Sequence, residues 1–197
     1  GDYSSRGIDE FCKKEDGCCV NVYLLSVVAY TMQTLEIAKN IHWVGVLHAT
    51  LRVFDVVFQT RFGSTYNSYL ILADKPTIID CVHEKFAQEY LEKLRSLINL
   101  KDICYIVVNH TEMDHTGALG LLLKETPNAQ ILSTKTASLF LKNILHRDVK
   151  GKAVEDGESF SLGNKQLKFI HAPYWHWPDT MFTYVEEDRG LFPGDGF

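Results

Sequence analysis

Asn109–Gly117 read NHTEMDHTG, placing His110, Glu112, Asp114 and His115 within six positions. The conformation of this stretch decides the fold. On a helix, His110 and Asp114 would share a face while Glu112 pointed away. In an extended segment, His110, Glu112 and Asp114 alternate onto one side together. The flanks favour the extended reading. Residues 103–108, ICYIVV, form a short apolar run rich in β-branched residues, as expected of a buried strand. Residues 116–125, TGALGLLLKE, predict a helix with Thr116 or Asp114 as N-cap. The four side chains then fan out from a loop at the carboxyl end of a strand, where α/β folds commonly build their sites.

Working outward, the stretches NIHWVGVL, LRVFDVVF, STYNSYLIL and PTIIDCV precede this motif as strand-like runs. Turn residues such as Gly63-Ser64 and Asp74-Lys75-Pro76 separate them. HEKFAQEYLEKLRSLI follows as a helix with Phe86, Tyr90, Leu94 and Leu97 on one face. After Pro127, NAQILS predicts a strand and TKTASLFLKNIL an amphipathic helix. The remainder is β-rich again, in KAVEDGESFSLG, KQLKFIHAP, TMFTYVEE and GLFPGD. The order β-rich, then βαβα, then β-rich fits a layered α/β sandwich better than a doubly wound sheet. No GxGxxG follows a strand, so no Rossmann-type dinucleotide site is expected.

The 197 residues, 46% hydrophobic, suffice for one good core. Met32 opens MQTLEIAKNIHWVGV like a domain start, which divides the chain into a 1–31 extension and a 32–197 domain. A net charge of −5 without a basic run gives no reason to expect nucleic acid or an anionic membrane surface. Five irregularly spaced cysteines argue against a disulfide scaffold and for a reducing cytosol. The apolar stretch Cys18–Met32 is too short and too interrupted for a membrane span, and acids precede it, unlike a signal peptide.

A second cluster lies in HAPYWHWPDTMFTY, where His176 follows an apolar strand among Trp175, Trp177 and Pro178. Asp195 sits between glycines in GLFPGDGF. Alone, His176 reads as a packing residue and Asp195 as a turn former. Together with the first motif they become a set of β-segments that each end in a potential metal ligand. Imidazoles with several carboxylates suit iron or manganese, whereas thiolate-rich sets suit structural zinc. Asp80, ending IID, is placed to orient a ligand histidine. His171 reads as a supporting residue, and His42, His48, His83 and His146 as surface or packing residues.

NHTEMDH, HWPDTMFTY and the late GD, with the earlier WVGV and GSTYNSYLI, resemble the metallo-β-lactamase-like domain of flavodiiron proteins from about Met32 onward. The resemblance implies an αββα sandwich. Hydrolases of that superfamily commonly carry HxHxDH and bind zinc, whereas Glu112 matches the substitution of the di-iron family. It further implies reduction of dioxygen to water, or nitric oxide to nitrous oxide, at two irons joined through an oxo or hydroxo bridge. His110, Glu112 and His176 would bind one iron, Asp114 the second, and Asp195 would bridge them. His115 completes the set, its counterpart coordinating in some members and not in others. FMN in a following flavodoxin-like domain would deliver electrons from rubredoxin, a flavin reductase or an NAD(P)H-linked module, in a head-to-tail homodimer. Asp55 stands where many members have a histidine near the substrate pocket. The resemblance also implies a further histidine and the flavodoxin-like domain beyond Phe197, so residues 32–197 read as C-terminally incomplete. A metal-dependent hydrolase of the same fold, with Glu112 against it, and a non-catalytic relative are the alternatives.

Overall fold

The computed structural model describes residues 33–54 and 56–196. The expectations for residues 1–31 and for Asp55 lie outside the described residues. The first strands are β1 (Leu35–Ala38), β2 (Ile41–Trp43), β3 (Val46–His48), β4 (Val53–Phe54), β5 (Phe58–Gln59), β6 (Ser64–Tyr66), β7 (Tyr69–Ile71) and β8 (Thr77–Ile79). Helix α1 (Ala87–Leu97) leads to β9 (Tyr105–Val108), the short α2 (Met113–Thr116), α3 (Leu119–Glu125), β10 (Gln130–Ser133) and α4 (Lys135–Leu145). The chain continues through β11 (Gly151–Ala153), β12 (Ser159–Ser161), β13 (Gln166–His171), β14 (Met181–Val185) and β15 (Gly190–Phe192).

A seven-stranded sheet runs β1-β2-β7-β8-β9-β10-β11 and a four-stranded sheet runs β12-β13-β14-β15. The central strands of the larger sheet are apolar on both faces because both faces are covered. Leu70, Ile78, Ile106 and Ile131 stand opposite one another across β7, β8, β9 and β10. They face the helical layer and pack with Tyr90 and Leu94 of α1, Leu119 and Leu122 of α3, and Leu141 of α4. One residue along, Ile79, Val107 and Leu132 point the other way. There they meet Leu167, Phe169, Met181, Val185 and Phe192 of the smaller sheet. A shift of one residue would exchange the two faces, so the alternation fixes the register. Among the described residues the layers are helix, sheet and sheet.

Two expected strands bend and change sheets. NIHWVGVL divides at Val44-Gly45 into β2, in the large sheet, and β3, which pairs with β6. STYNSYLI divides at Asn67-Ser68 into β6 and β7, and the Val44 amide donates to Ser68 O at 2.8 Å where the two pieces cross. A Cβ on Gly45 would lie 2.2 Å from Tyr66 O, so the crossing tolerates only glycine there. Lys93 is buried beside it, donating to Gly45 O at 2.8 Å and pairing with Glu89 at 2.9 Å. LRVFDVVF forms only the small β4–β5 hairpin, with Val56, Val57 and Phe58 exposed.

The predicted helix of residues 116–125 is two helices, and it starts earlier than expected. Neither Thr116 nor Asp114 caps it. Glu112 occupies the N-cap position with extended backbone (φ −61°, ψ 150°) and makes no capping bond with its side chain. Thr116 Oγ1 instead donates back to Glu112 O at 2.9 Å and Thr111 O at 3.1 Å. The Glu112 carboxylate is thereby left free for another use.

Candidate metal centre

Strands β8 and β9 run parallel, and their carboxyl ends deliver Asp80 and the 109–117 loop to one end of the sheet. The loop leaves β9 extended, places His110 and Glu112, and then turns into α2, whose first turn carries Asp114 and His115. The second sheet supplies the remainder. His176 lies on the connection between β13 and β14, and Asp195 follows β15.

These six side chains converge. His110, Asp114, His115 and Asp195 form one group and His110, Glu112, His176 and Asp195 another, each with ligand atoms within 4.8 Å of one another. His176 Nε2 lies 2.7 Å from Glu112 Oε2, and His115 Nε2 lies 3.1 Å from Asp195 Oδ1. Asp114 Oδ2 is 3.8 Å from His115 Nε2, and Asp195 Oδ2 is 4.0 Å from His176 Nε2. The rings of His115 and His176 flank His110 at centroid distances of 4.2 and 5.1 Å. The His110 side chain is fully buried, whereas those of His176 and Asp195 are 32% and 35% exposed. The pocket therefore has a closed wall at His110 and an open mouth at His176 and Asp195.

Both ring nitrogens of His110, Oδ1 of Asp114 and Nδ1 of His115 are buried without a hydrogen-bond partner. Each such orphan costs about 1–3 kcal/mol, and four in one pocket would be an unusual burden for a purely structural cluster. A cation coordinated by one His110 nitrogen and by Asp114 would remove part of that cost, each residue offering one ligand atom. The donors are all imidazole nitrogen and carboxylate oxygen, a set suited to iron, manganese or zinc. Cys81 and Cys104, the cysteines among the described residues, belong to neither group.

Carboxylates and imidazoles crowd one another in the pocket, and burial and neighbouring charge shift several of them. Burial holds the Asp114 carboxyl above its usual range; His115 opposes this, while Asp195 and Glu112 add to it. The His110 imidazole draws Glu112 below its usual range, His176 helping and burial opposing. Burial acts against the charged form of His115, but Asp195 and Asp80 outweigh it and raise the imidazole well above its ordinary value. Burial also opposes ionisation of Asp195, and His115 outweighs it, leaving that carboxyl lowered. A bound cation would favour the ionised form of every carboxylate here.

Asp80 Oδ2 faces His115 Nδ1 at 3.5 Å. Asp80 is held in a left-handed backbone conformation (φ 54°), and its carboxylate accepts from the Asn109 amide nitrogen and side chain at 2.8 and 3.2 Å. His171 lies outside both groups; its main-chain N–H donates to Asp156 Oδ1 at 2.8 Å. The motif reading did not single out Asn109, Thr111 and Asp179. Thr111 Oγ1 donates to Asp179 Oδ2 at 2.8 Å, tying the first ligand loop to the HWPD segment. Polar residues beside ligands in both motifs were the available signal. Gly194, in a left-handed conformation (φ 56°), brings the Asp195 loop against the His110 ring.

A profile described as ODP family beta lactamase matches residues 65–197. The flavo-diiron protein FprA2 of Clostridium acetobutylicum is 42% identical over 166 residues, covering 83% of this chain and 42% of that protein. A nitric oxide reductase of Moorella thermoacetica is 42% identical over 167 residues, covering 84% of this chain and 42% of that protein. The crystal structure of the flavodiiron protein from Giardia intestinalis superposes with a TM-score of 0.78 at 36% identity, covering 82% of this chain and 39% of that one. Rubredoxin oxygen:oxidoreductase of Desulfovibrio gigas gives 0.78 at 31% identity, with 81% and 40% covered. The chain thus spans about two fifths of the length of these relatives. With the matching profile, the layered sheets and the loops that bring imidazoles and carboxylates together in the same chain, it belongs to the ODP family of metallo-β-lactamase-like domains, the domain it shares with flavodiiron proteins.

Proposed function

We propose that residues 32–197 are the metal domain of an oxidoreductase that reduces dioxygen to water, nitric oxide to nitrous oxide, or both. The observation that carries this reading is the pair of imidazole–carboxylate groups that share His110 and Asp195 in one pocket. The names of the relatives, flavo-diiron protein, nitric oxide reductase and rubredoxin oxygen:oxidoreductase, support it. In this reading His110, Glu112 and His176 hold one iron, Asp114 and His115 the second, and Asp195 serves both. When bound, two irons supply the one-electron redox steps that reduction of a diatomic molecule requires.

The chain's own contribution is placement. Glu112, Asp114 and Asp195 bring anionic oxygen to two neighbouring cations, which lowers the repulsion between them. The buried His110 closes the inner side, and the partly exposed His176 and Asp195 leave an approach for a small substrate. Met113 and Trp175, each next to one of these residues in sequence, are exposed. Electrons reach the site from FMN bound outside these residues. FMN is itself reduced by a donor such as rubredoxin, a flavin reductase or an NAD(P)H-linked module. The resemblance also carries a head-to-tail homodimer and a cytosolic setting; among the described residues no helix is long and apolar enough to cross a membrane.

The test is anaerobic loading of the chain with ferrous iron, metal quantification, and consumption of oxygen or nitric oxide with chemically reduced FMN as donor. Tight uptake of one iron and weaker uptake of a second is expected, with consumption above that of reduced FMN alone. Exclusive zinc retention with hydrolysis of an ester or lactam would replace this reading with the hydrolase one.

A further inference from the structure

Asn109 precedes His110 and is completely buried, yet no part of it belongs to either ligand group. Its side-chain amide makes three hydrogen bonds into three different strands or strand ends. Nδ2 donates to Asp80 Oδ2 at 3.2 Å and to Phe192 O at 3.1 Å, and Oδ1 accepts from Thr183 Oγ1 at 2.7 Å. Its main chain is used as well, the N–H donating to Asp80 Oδ1 at 2.8 Å and the carbonyl accepting from Met181 N at 2.8 Å. Asp80 belongs to the larger sheet's end; Met181, Thr183 and Phe192 belong to the smaller sheet. One residue therefore bolts the two sheets together beside the pocket.

The bonds differ in where they lead. The main-chain pair fixes the exit of β9, and with it the start of the His110 loop. The side-chain Nδ2 reaches Asp80, which faces His115 Nδ1 at 3.5 Å, and Phe192, three residues before Asp195. The bond to Thr183 leads to no ligand. Resting on the two-cation reading above, we propose that the Asn109 amide is a positioning group for one of the two metal sites, the one built from Asp114, His115 and Asp195. It holds His115, which belongs to that group alone, through Asp80, while its bond to Phe192 O bears on Asp195, which both groups share. Glu112 and His176 receive none of the side-chain bonds, and the main-chain bonds that start the His110 loop can be made by any residue except proline at position 109.

The test is a cobalt(II) titration of the 197-residue chain, followed by visible absorption, with the melting temperature of the metal-free protein read alongside. Asn109→Ala removes all three side-chain bonds. Thr183→Val removes one bond of the same amide and leaves the Asn109 Nδ2 bonds to Asp80 and Phe192 O in place, although Thr183 stands opposite Phe192 in the sheet. Loss of a group that orients a ligand typically lowers metal affinity ~10–100-fold. Asn109→Ala is expected to weaken the second cobalt step by that amount, with a changed absorption band for that step, and to weaken the first step clearly less, through the shared Asp195 alone. Thr183→Val is expected to lower the melting temperature and leave both steps in place. If Asn109→Ala does not fold, Asn109→Ser, which keeps a polar group in the same space, is compared in the same way. Equal weakening of both steps, or an unchanged second step, would reduce Asn109 to a structural bolt and overturn the proposal. A wild-type chain that takes up only one cobalt would overturn the two-cation reading itself, and this inference with it.

Discussion

Gly194→Ala combines two costs that can be separated. At φ 56° an L-residue pays roughly 1–2 kcal/mol for the left-handed backbone. The new Cβ would also lie 3.2 Å from His110 Nδ1 and 3.5 Å from its Cε1, so one side must yield by a few tenths of an ångström. His110 has little room to yield, being buried with His115 and His176 on either side. Gly157→Ala is the matched control, with φ 73° and nothing within 4 Å of the added Cβ. Gly157→Ala should therefore cost about 1–2 kcal/mol, which lowers the melting temperature by roughly 2–8 °C in a protein of this size. Gly194→Ala should cost more than that by about 1 kcal/mol or more, the usual scale of overpacking at a filled site. Because His110 belongs to both ligand groups, Gly194→Ala should also weaken both metal-binding steps, whereas Gly157→Ala should weaken neither. Calorimetry of the metal-free chains and anaerobic iron titrations supply the two readings. Identical melting and identical iron binding for the two variants would refute the claimed contact between the Asp195 loop and His110.

Asp195→Asn should lower the affinity of both iron steps, because Asp195 is common to the two groups, while Asp114→Asn should lower only one; parallel titrations distinguish the patterns. Glu112→His replaces an anionic oxygen donor with a third imidazole beside His110 and His176, so zinc should displace iron in mixed-metal loading, measured by metal content after dialysis. Cys81 is buried and donates to His115 O, and burial first, then Asp80, pushes its thiol far above the usual range; alkylation mapped by mass spectrometry at pH 8–9 should modify the half-buried Cys104 and spare Cys81 until the chain unfolds. Tyr90→Phe removes a buried hydroxyl 2.9 Å from Ser68 Oγ and should cost roughly 1 kcal/mol in denaturant unfolding without altering metal uptake.

The ligand loop was legible in the sequence because its neighbours have unambiguous periodicity. The YIVV strand and the following leucine-rich helix leave residues 109–115 only one place to be, the end of a covered strand. The long-range part was legible only through motif combination, since nothing in the spacing of His176 or Asp195 indicates which strands of a second sheet carry them. Strand breaks at Val44-Gly45 and Asn67-Ser68 were not legible. Gly45 and Asn67-Ser68 are turn-prone residues inside β-forming runs, but their division follows from Gly45 packing against Tyr66 O, a contact between segments far apart in sequence. The α2 start was misplaced for a related reason. Local capping preference favours Thr or Asp, but Glu112 takes the cap position while its carboxylate is drawn into the pocket by His176 and His110. Asn109 was invisible as a hub because its partners, Asp80, Thr183 and Phe192, come from three separate strands or strand ends.

The six donors are divided unevenly along the chain, four in the loop after β9 and two on the second sheet. Synthesis from the amino terminus therefore releases His110, Glu112, Asp114 and His115 into the cell before His176 and Asp195 exist. That nascent half-set has no second sheet to fix its geometry, and affinity among free divalent ions then follows the general order in which copper and zinc bind more strongly than iron. Closure of the sandwich adds the missing imidazole and carboxylate and imposes the arrangement of both groups. In the two-cation reading, the choice of metal would then be settled when the second sheet docks. Occupancy would in that reading reflect the cations the unfinished chain meets and how readily docking expels them.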